Sequence, residues 1–139
     1  MSKADIYFLT VADLRAIAED AAGQYVVRDA GLLASAAARP ATTVYGTDAY
    51  PGIWEKSAAL LHSIAANHPL VDGNKRLAIA GAIVFLAYNG IDTSSLDEDL
   101  VYDLMIDVAS GTVVDVPEIA SRLATALKHD PTSTESRVL

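Results

Sequence analysis

The sequence predicts an all-α domain: about six helices around a central apolar helix, with one short β-hairpin. Three observations carry this. Alanine, leucine and isoleucine recur at helical spacing through most of the 139 residues. Capping residues and Gly or Pro breaks separate these runs. Residues 77–88 are apolar on nearly all sides, as expected of a helix wrapped by others. The length fits one domain, and 52% apolar residues are enough to bury a real core.

The elements follow in order. Residues 6–9 are a short β-prone run, read as an edge strand. Thr10 with Asp13 forms a capping-box-like start for a helix over Val11–Ala22, which Gly23 ends. A second helix covers 30–39, and Pro40 stops it. Residues 41–52 lack helical periodicity and read as a hairpin or ordered loop, the kind of segment that often carries function. A third helix, Ile53–Asn67, turns Ile53, Leu60, Leu61 and Ile64 inward and Glu55, Lys56 and Ser63 outward. The fourth, over 73–89, is the apolar one read as central, and Gly90 caps it. Ser95 with Glu98 opens a fifth, to Ser110, closed by Gly111. Asp115 with Glu118, and Pro117 in the first turn, opens a sixth, to Lys128. Residues 129–139 are polar and are expected to form a flexible tail, leaving 1–128 as the domain.

Composition narrows the functions. There is no cysteine, so disulfides, thiolate metal sites and a cysteine nucleophile are excluded. The formal charge is −8, which argues against direct nucleic-acid binding. No Lys or Arg lies between Leu77 and Ser121, a stretch with eight acidic residues. It reads as a solvated acidic face or as a docking surface for a basic partner segment. The longest apolar run has 12 residues, short of the roughly 20 that a membrane helix needs. No signal peptide is visible, and a cytoplasmic protein is expected.

The chemistry-bearing stretch is His68-Pro69-Leu70-Val71-Asp72-Gly73-Asn74-Lys75-Arg76. Pro69 keeps His68 out of helical backbone angles, so His68 sits on a loop. Lys75 and Arg76 stand in the first turn of the fourth helix, where the dipole opposes positive charge by some tenths of a kcal/mol each. An anion bound at the helix N-terminus relieves that cost, and Gly73 lets it approach closely. A phosphate chain fits. Asp72 beside it is either a simple cap or a ligand for Mg²⁺, which takes one or two carboxylates together with phosphate oxygens. His68 can accept a proton near neutral pH. These are the parts of phosphoryl or nucleotidyl transfer. Elsewhere, His62, Trp54 and the tyrosines read as packing, Arg39 as a helix-end cation and His129 as idle.

The stretch resembles the motif of the Fic/Doc family, in its Doc branch. Tyr50-Pro51-Gly52-Ile53-Trp54-Glu55-Lys56 before it and Phe85-Leu86 to Asn89-Gly90 after it resemble the flanking segments, so the likeness spans about 4–128. The resemblance implies the Fic fold and a toxin of a toxin–antitoxin pair that uses ATP and Mg²⁺. It implies His68 as general base, Asp72 as the Mg²⁺ ligand, and Gly73, Asn74, Lys75 and Arg76 as phosphate contacts. It implies that the hairpin, with Thr42, Thr43, Val44 and Tyr45, positions the target peptide by strand-like pairing. Lys75 stands where the Fic branch has Gly. That substitution implies transfer of the ATP γ-phosphate, by a protein kinase activity on a Thr or Ser of elongation factor Tu that blocks translation. AMP transfer is the alternative, and a catalytically silent antitoxin-binding corepressor is a third. The implied inhibitor is a separate Phd-like antitoxin, because no Glu here is followed by Gly or Asn as in the family's inhibitory helix. Leu70 replaces a common aromatic and is expected to anchor the loop in the core.

Overall fold

The computed structural model describes residues 5–130, and the statements below concern these residues. Six helices follow one another: α1 (Val11–Ala22), α2 (Ala30–Ala38), α3 (Ile53–Asn67), α4 (Asn74–Tyr88), α5 (Glu98–Ala109) and α6 (Val116–Ala126). A 3₁₀ turn, Arg39–Ala41, continues α2 through Pro40. Between it and α3 lies an antiparallel hairpin, β1 (Thr43–Val44) and β2 (Thr47–Asp48), paired Thr43 to Asp48 and Val44 to Thr47. Of the expected tail at 129–139, residues 131–139 lie outside the described residues.

Local chemistry sets the boundaries. Thr10 and Asp13 bond reciprocally, closing the capping box of α1. Asp29 and Asp115 cap α2 and α6 by accepting the main-chain N–H three residues on. The α5 cap is Asp97, not Ser95: its carboxylate accepts from the N–H groups of Asp99 and Leu100. A carboxylate outcompetes a hydroxyl for N–H groups at the positive end of a helix.

The core is continuous. It runs from Leu9 and Leu14 through Leu60, Leu61 and Ile64 of α3 and Leu77, Phe85 and Leu86 of α4 to Leu104, Ile119 and Leu123. The innermost helix is α3, which packs on α2, the 3₁₀ turn, α4, α5 and α6. The sequence placed α4 there; α4 lies alongside α3, against α1 and α5, with Tyr88 exposed at its end. A helix enclosed by five neighbours buries its polar positions too. Lys56 is 1% exposed and Ser63 5%, where the sequence read both as outward. Ser57 Oγ donates to the Ala82 carbonyl (3.1 Å), joining α3 to α4.

Residues 6–9 have no partner strand. The main-chain N–H and C=O of Tyr7 pair instead with the buried Asn89 side-chain amide (2.9 and 3.0 Å). The amide of Asn89 thus takes the place of a neighbouring strand while its Nδ2 also donates to the Phe85 carbonyl at the end of α4 (2.8 Å). His129 is not idle. Its ring packs at a tilt against Trp54 (5.2 Å between centroids, 54° between planes) and bonds the Asp92 carbonyl (2.7 Å).

Candidate active site

The junction between α3 and α4 is held from several sides. His68 ends α3 in the left-handed region (φ 54°), its N–H bonded to the Ile64 carbonyl. That conformation is costly for a residue with a Cβ and is favoured at helix ends when Gly is present. Here Pro69 excludes the helical alternative, and Arg28 holds the turn. Arg28 Nε donates to the His68 carbonyl (2.7 Å) and its Nη2 to the Asn67 carbonyl (2.8 Å). The cation therefore sits on the negative end of α3. The Arg28 and Asp29 N–H groups donate to the Pro69 carbonyl, and the Val71 N–H donates to the Val26 carbonyl. Leu70, 1% exposed, plugs the loop into the core as expected.

The start of α4 is equally determined. Gly73 is its N-cap at φ 90°, and a Cβ there would lie 2.8 Å from the Ala22 Cβ. Only glycine meets both conditions. The Asn74 side chain points inward: its Oδ1 accepts the Leu70 N–H and its Nδ2 donates to the Leu70 carbonyl, both at 2.9 Å. Asn74 thus pins the loop, and what remains for a ligand is its main-chain N–H. Gly73 offers no side-chain cap, so the first-turn N–H groups of Asn74, Lys75 and Arg76 point out of the helix end without helical acceptors.

These residues line one depression of about 270 Å³: His68, Val71, Asp72, Gly73, Asn74, Lys75 and Arg76. Every residue of the expected catalytic and phosphate set is brought together there. His68, Asp72, Lys75 and Arg76 are exposed to it. Asp72 spends one oxygen on the Gly73 N–H (2.9 Å), leaving the other for a ligand. Lys75 and Arg76 make no ion pair among the described residues. Two unneutralised cations and three outward N–H groups form an anion cradle, rimmed by a carboxylate and an imidazole. No cluster of three or more metal-ligating side chains occurs among the described residues. A single hard carboxylate oxygen suits Mg²⁺, which draws most of its shell from phosphate and water.

The hairpin residues Thr42, Thr43, Val44 and Tyr45 do not line the depression. They form a separate exposed edge. Tyr45 and Gly46 are the two loop residues, both at positive φ (52° and 79°), the signature of a type I′ turn. The Val44 and Tyr45 side chains project into solvent. Two cations anchor the hairpin base to α3. Lys56 Nζ bonds Asp48 Oδ2 (3.1 Å) and the Tyr50 carbonyl. Arg39 Nε donates to the Tyr50 hydroxyl (2.8 Å) and also lies over its ring. Arg39 Nη1 contacts His62 Nδ1 (2.8 Å), Ser63 Oγ (3.0 Å) and the Ala59 carbonyl (3.3 Å). Burial, and then the Arg39 charge, hold His62 below the usual imidazole range. At α3's 1.5 Å rise, His62 lies about 9 Å along the axis from His68.

Sequence reasoning missed Arg28 and Lys56. Arg28 carried one weak signal, a lone cation just before the Asp29 cap. Lys56 carried none, since its partners lie in the hairpin.

A model of the Fic/DOC family matches residues 6–86. The chain belongs to the Fic/Doc family. It is 53% identical over 103 residues to Toxin Doc of Mycolicibacterium smegmatis, covering 73% of this chain and 78% of that protein. This likeness places it with the family's toxins. No solved structure matches the chain. The helical fold with one small hairpin is the Fic architecture that the motif implied. No helix among the described residues is long and apolar enough to cross a membrane.

Proposed function

We propose that this Fic/Doc chain is a Doc-type toxin of the cytoplasm that moves the γ-phosphate of ATP to a Thr or Ser hydroxyl of a protein. By resemblance the target is elongation factor Tu, and its modification stops translation. The observation that carries this reading is the cradle, where Lys75 and Arg76 stand unpaired at the α4 N-terminus in one depression with His68 and Asp72.

In this reading the phosphate chain lies against the first-turn N–H groups, with Lys75 and Arg76 on its oxygens. The target hydroxyl gives its proton to His68 as its oxygen forms the new bond to phosphorus. The bond from that phosphorus to the bridging β-oxygen breaks, and ADP departs with its charge held by Lys75 and Arg76. Asp72 would hold Mg²⁺, which when bound neutralises phosphate charge. Arg28 keeps the His68 turn fixed through its carbonyl. The hairpin offers Thr43 and Val44 for strand-like pairing with the target segment.

The relative's name, Toxin Doc, supports an antitoxin partner, proposed here as Phd-like. The acidic stretch from Asp92 to Glu118 offers it a surface complementary to basic side chains. Incubation with translation extract and either γ- or α-labelled ATP tests the reaction. Label is expected on protein from γ-labelled ATP only, and to vanish with His68→Ala or Asp72→Ala. Label from α-labelled ATP alone would replace phosphate transfer with AMP transfer. Full toxicity of both variants on expression would remove catalysis from the account.

A further inference from the structure

Two sets of bonds hold the site, and they do not overlap. The phosphate half is closed within its own loop. Asn74 ties both polar groups of its amide to Leu70, and Gly73 lies against Ala22. The half that carries the imidazole is held from outside, by the segment between α1 and α2. Val27 bridges Leu70, and the Arg28 and Asp29 N–H groups share the Pro69 carbonyl. Among the described residues, only the Arg28 side chain reaches past Pro69 to the carbonyls of His68 and Asn67 (2.7 and 2.8 Å). From this division we propose that Arg28 is a positioning residue for the reaction: its guanidinium selects the left-handed turn that aims the His68 ring, and does so without touching the phosphate cradle. The proposal rests on the phosphate-transfer reading above and names the group that keeps its proton acceptor in place.

The backbone of His68 has two basins open to it. Pro69 shuts out the right-handed helical one and favours extended angles. A residue with a Cβ enters the left-handed basin against a preference of about five- to thirty-fold. His68 nevertheless sits there, at φ 54° and ψ 63°. Turning φ back to the extended region would swing its Cβ, and with it the imidazole, out of the depression. The guanidinium opposes that turn. Its planar fork meets two successive carbonyls at once and brings a positive charge to the negative end of α3. Bonds from an ionised donor are roughly twice as strong as neutral ones. Arg28 makes no ion pair among the described residues, so no carboxylate draws the fork away. The main-chain bonds of Arg28 and Asp29 to Pro69 do not need the side chain. The segment therefore stays docked when the side chain, which is exposed, is cut back.

Arg28→Ala in the full chain tests this, with γ-labelled ATP and translation extract to read transfer and titration calorimetry to read MgATP binding. Labelling at saturating MgATP is expected to fall by about ten-fold to 10²-fold, as it does when a reacting group is slightly misplaced. MgATP should bind the variant as it binds the parent. Free ethylguanidinium should restore part of the rate to Arg28→Ala and none to His68→Ala. Arg28→Lys, with one nitrogen in place of the fork, should fall between parent and Arg28→Ala. In NMR spectra the coupling between the His68 amide proton and its Hα should rise toward the extended value in Arg28→Ala. Labelling at the parent rate by Arg28→Ala, or MgATP binding lost in the same proportion, would overturn the proposal. So would a rate that ethylguanidinium cannot raise, or a full rate in Arg28→Lys, which would make charge and not the fork decisive. Should Arg28→Ala fail to fold, Arg28→Lys decides by its own rate and MgATP affinity. No label from the parent would remove phosphate transfer and leave the clamp to the His68 coupling, and an unchanged coupling in Arg28→Ala would overturn the clamp.

Discussion

Replacing Gly73 with alanine separates two costs that the structure assigns to one position. At φ 90° an added side chain is strained by about 1–2 kcal/mol. The new Cβ would also sit 2.8 Å from the Ala22 Cβ, on the backbone of a packed helix that yields little. Overpacking of this kind costs about 1–3 kcal/mol. Loss of unfolded-state freedom gives back about 0.4–1 kcal/mol. The net expectation is about 2–4 kcal/mol. For a 139-residue domain each kcal/mol lowers Tm by about 3–4 °C, so the midpoint should fall by roughly 7–15 °C. Gly111→Ala is the internal control. Its φ is 81°, but nothing lies within 4 Å of the added Cβ. It should cost about 1 kcal/mol, or roughly 3–4 °C. Thermal unfolding followed by circular dichroism reads both. Equal shifts for the two variants would refute the close packing of α1 against the α4 start, and with it the account of why the cradle begins where it does.

Two other outcomes are expected. His68→Gly should relieve the left-handed strain and hold or raise stability by up to about 1 kcal/mol, while phosphate transfer falls by about 10²-fold or more; denaturant melts and labelled-ATP assays measure the two, and a clear loss of stability would show that the turn is not strained. His62 is held neutral by burial and by Arg39, so its folded pKa lies below its unfolded value near 6.5. The unfolded chain then binds the extra proton as pH falls below about 6.5, and stability should decline from there down through the lowered folded pKa. His62→Gln should flatten that decline in melts from pH 7.5 to 5, and an unchanged slope would place the sensitivity elsewhere.

Much of the fold was legible because its signals are local. Thr10 and Asp13 announce α1 within four residues, and the Gly73–Asn74 step announces α4. The nine-residue motif could be read as a site because its members are adjacent in the chain and need no tertiary knowledge. What escaped is what other elements decide. Helical periodicity assumes one buried face, so Lys56 and Ser63 were turned outward, whereas α3 is enclosed on several sides. The charge on Lys56 is tolerable there only because Asp48 and the Tyr50 carbonyl reach it from the hairpin. Arg28 meets its carbonyls across 39 and 40 residues. The side chain of Asn74 gives no sign in the sequence that the loop it closes takes both of its polar groups. The run at 6–9 had strand chemistry and no strand to pair with.

One rod, α3, bears the hairpin's two footings along its length and the imidazole at its tip. The gap between the hairpin base and the His68 imidazole is therefore fixed by helical rise, not by the intervening loops. Residues at the hairpin tip, such as Val44 and Tyr45, touch neither footing. If the chain acts as proposed, changing them would alter which segment pairs there while the chemical step keeps its alignment, so choice of prey and power to modify it would be free to diverge on separate timetables.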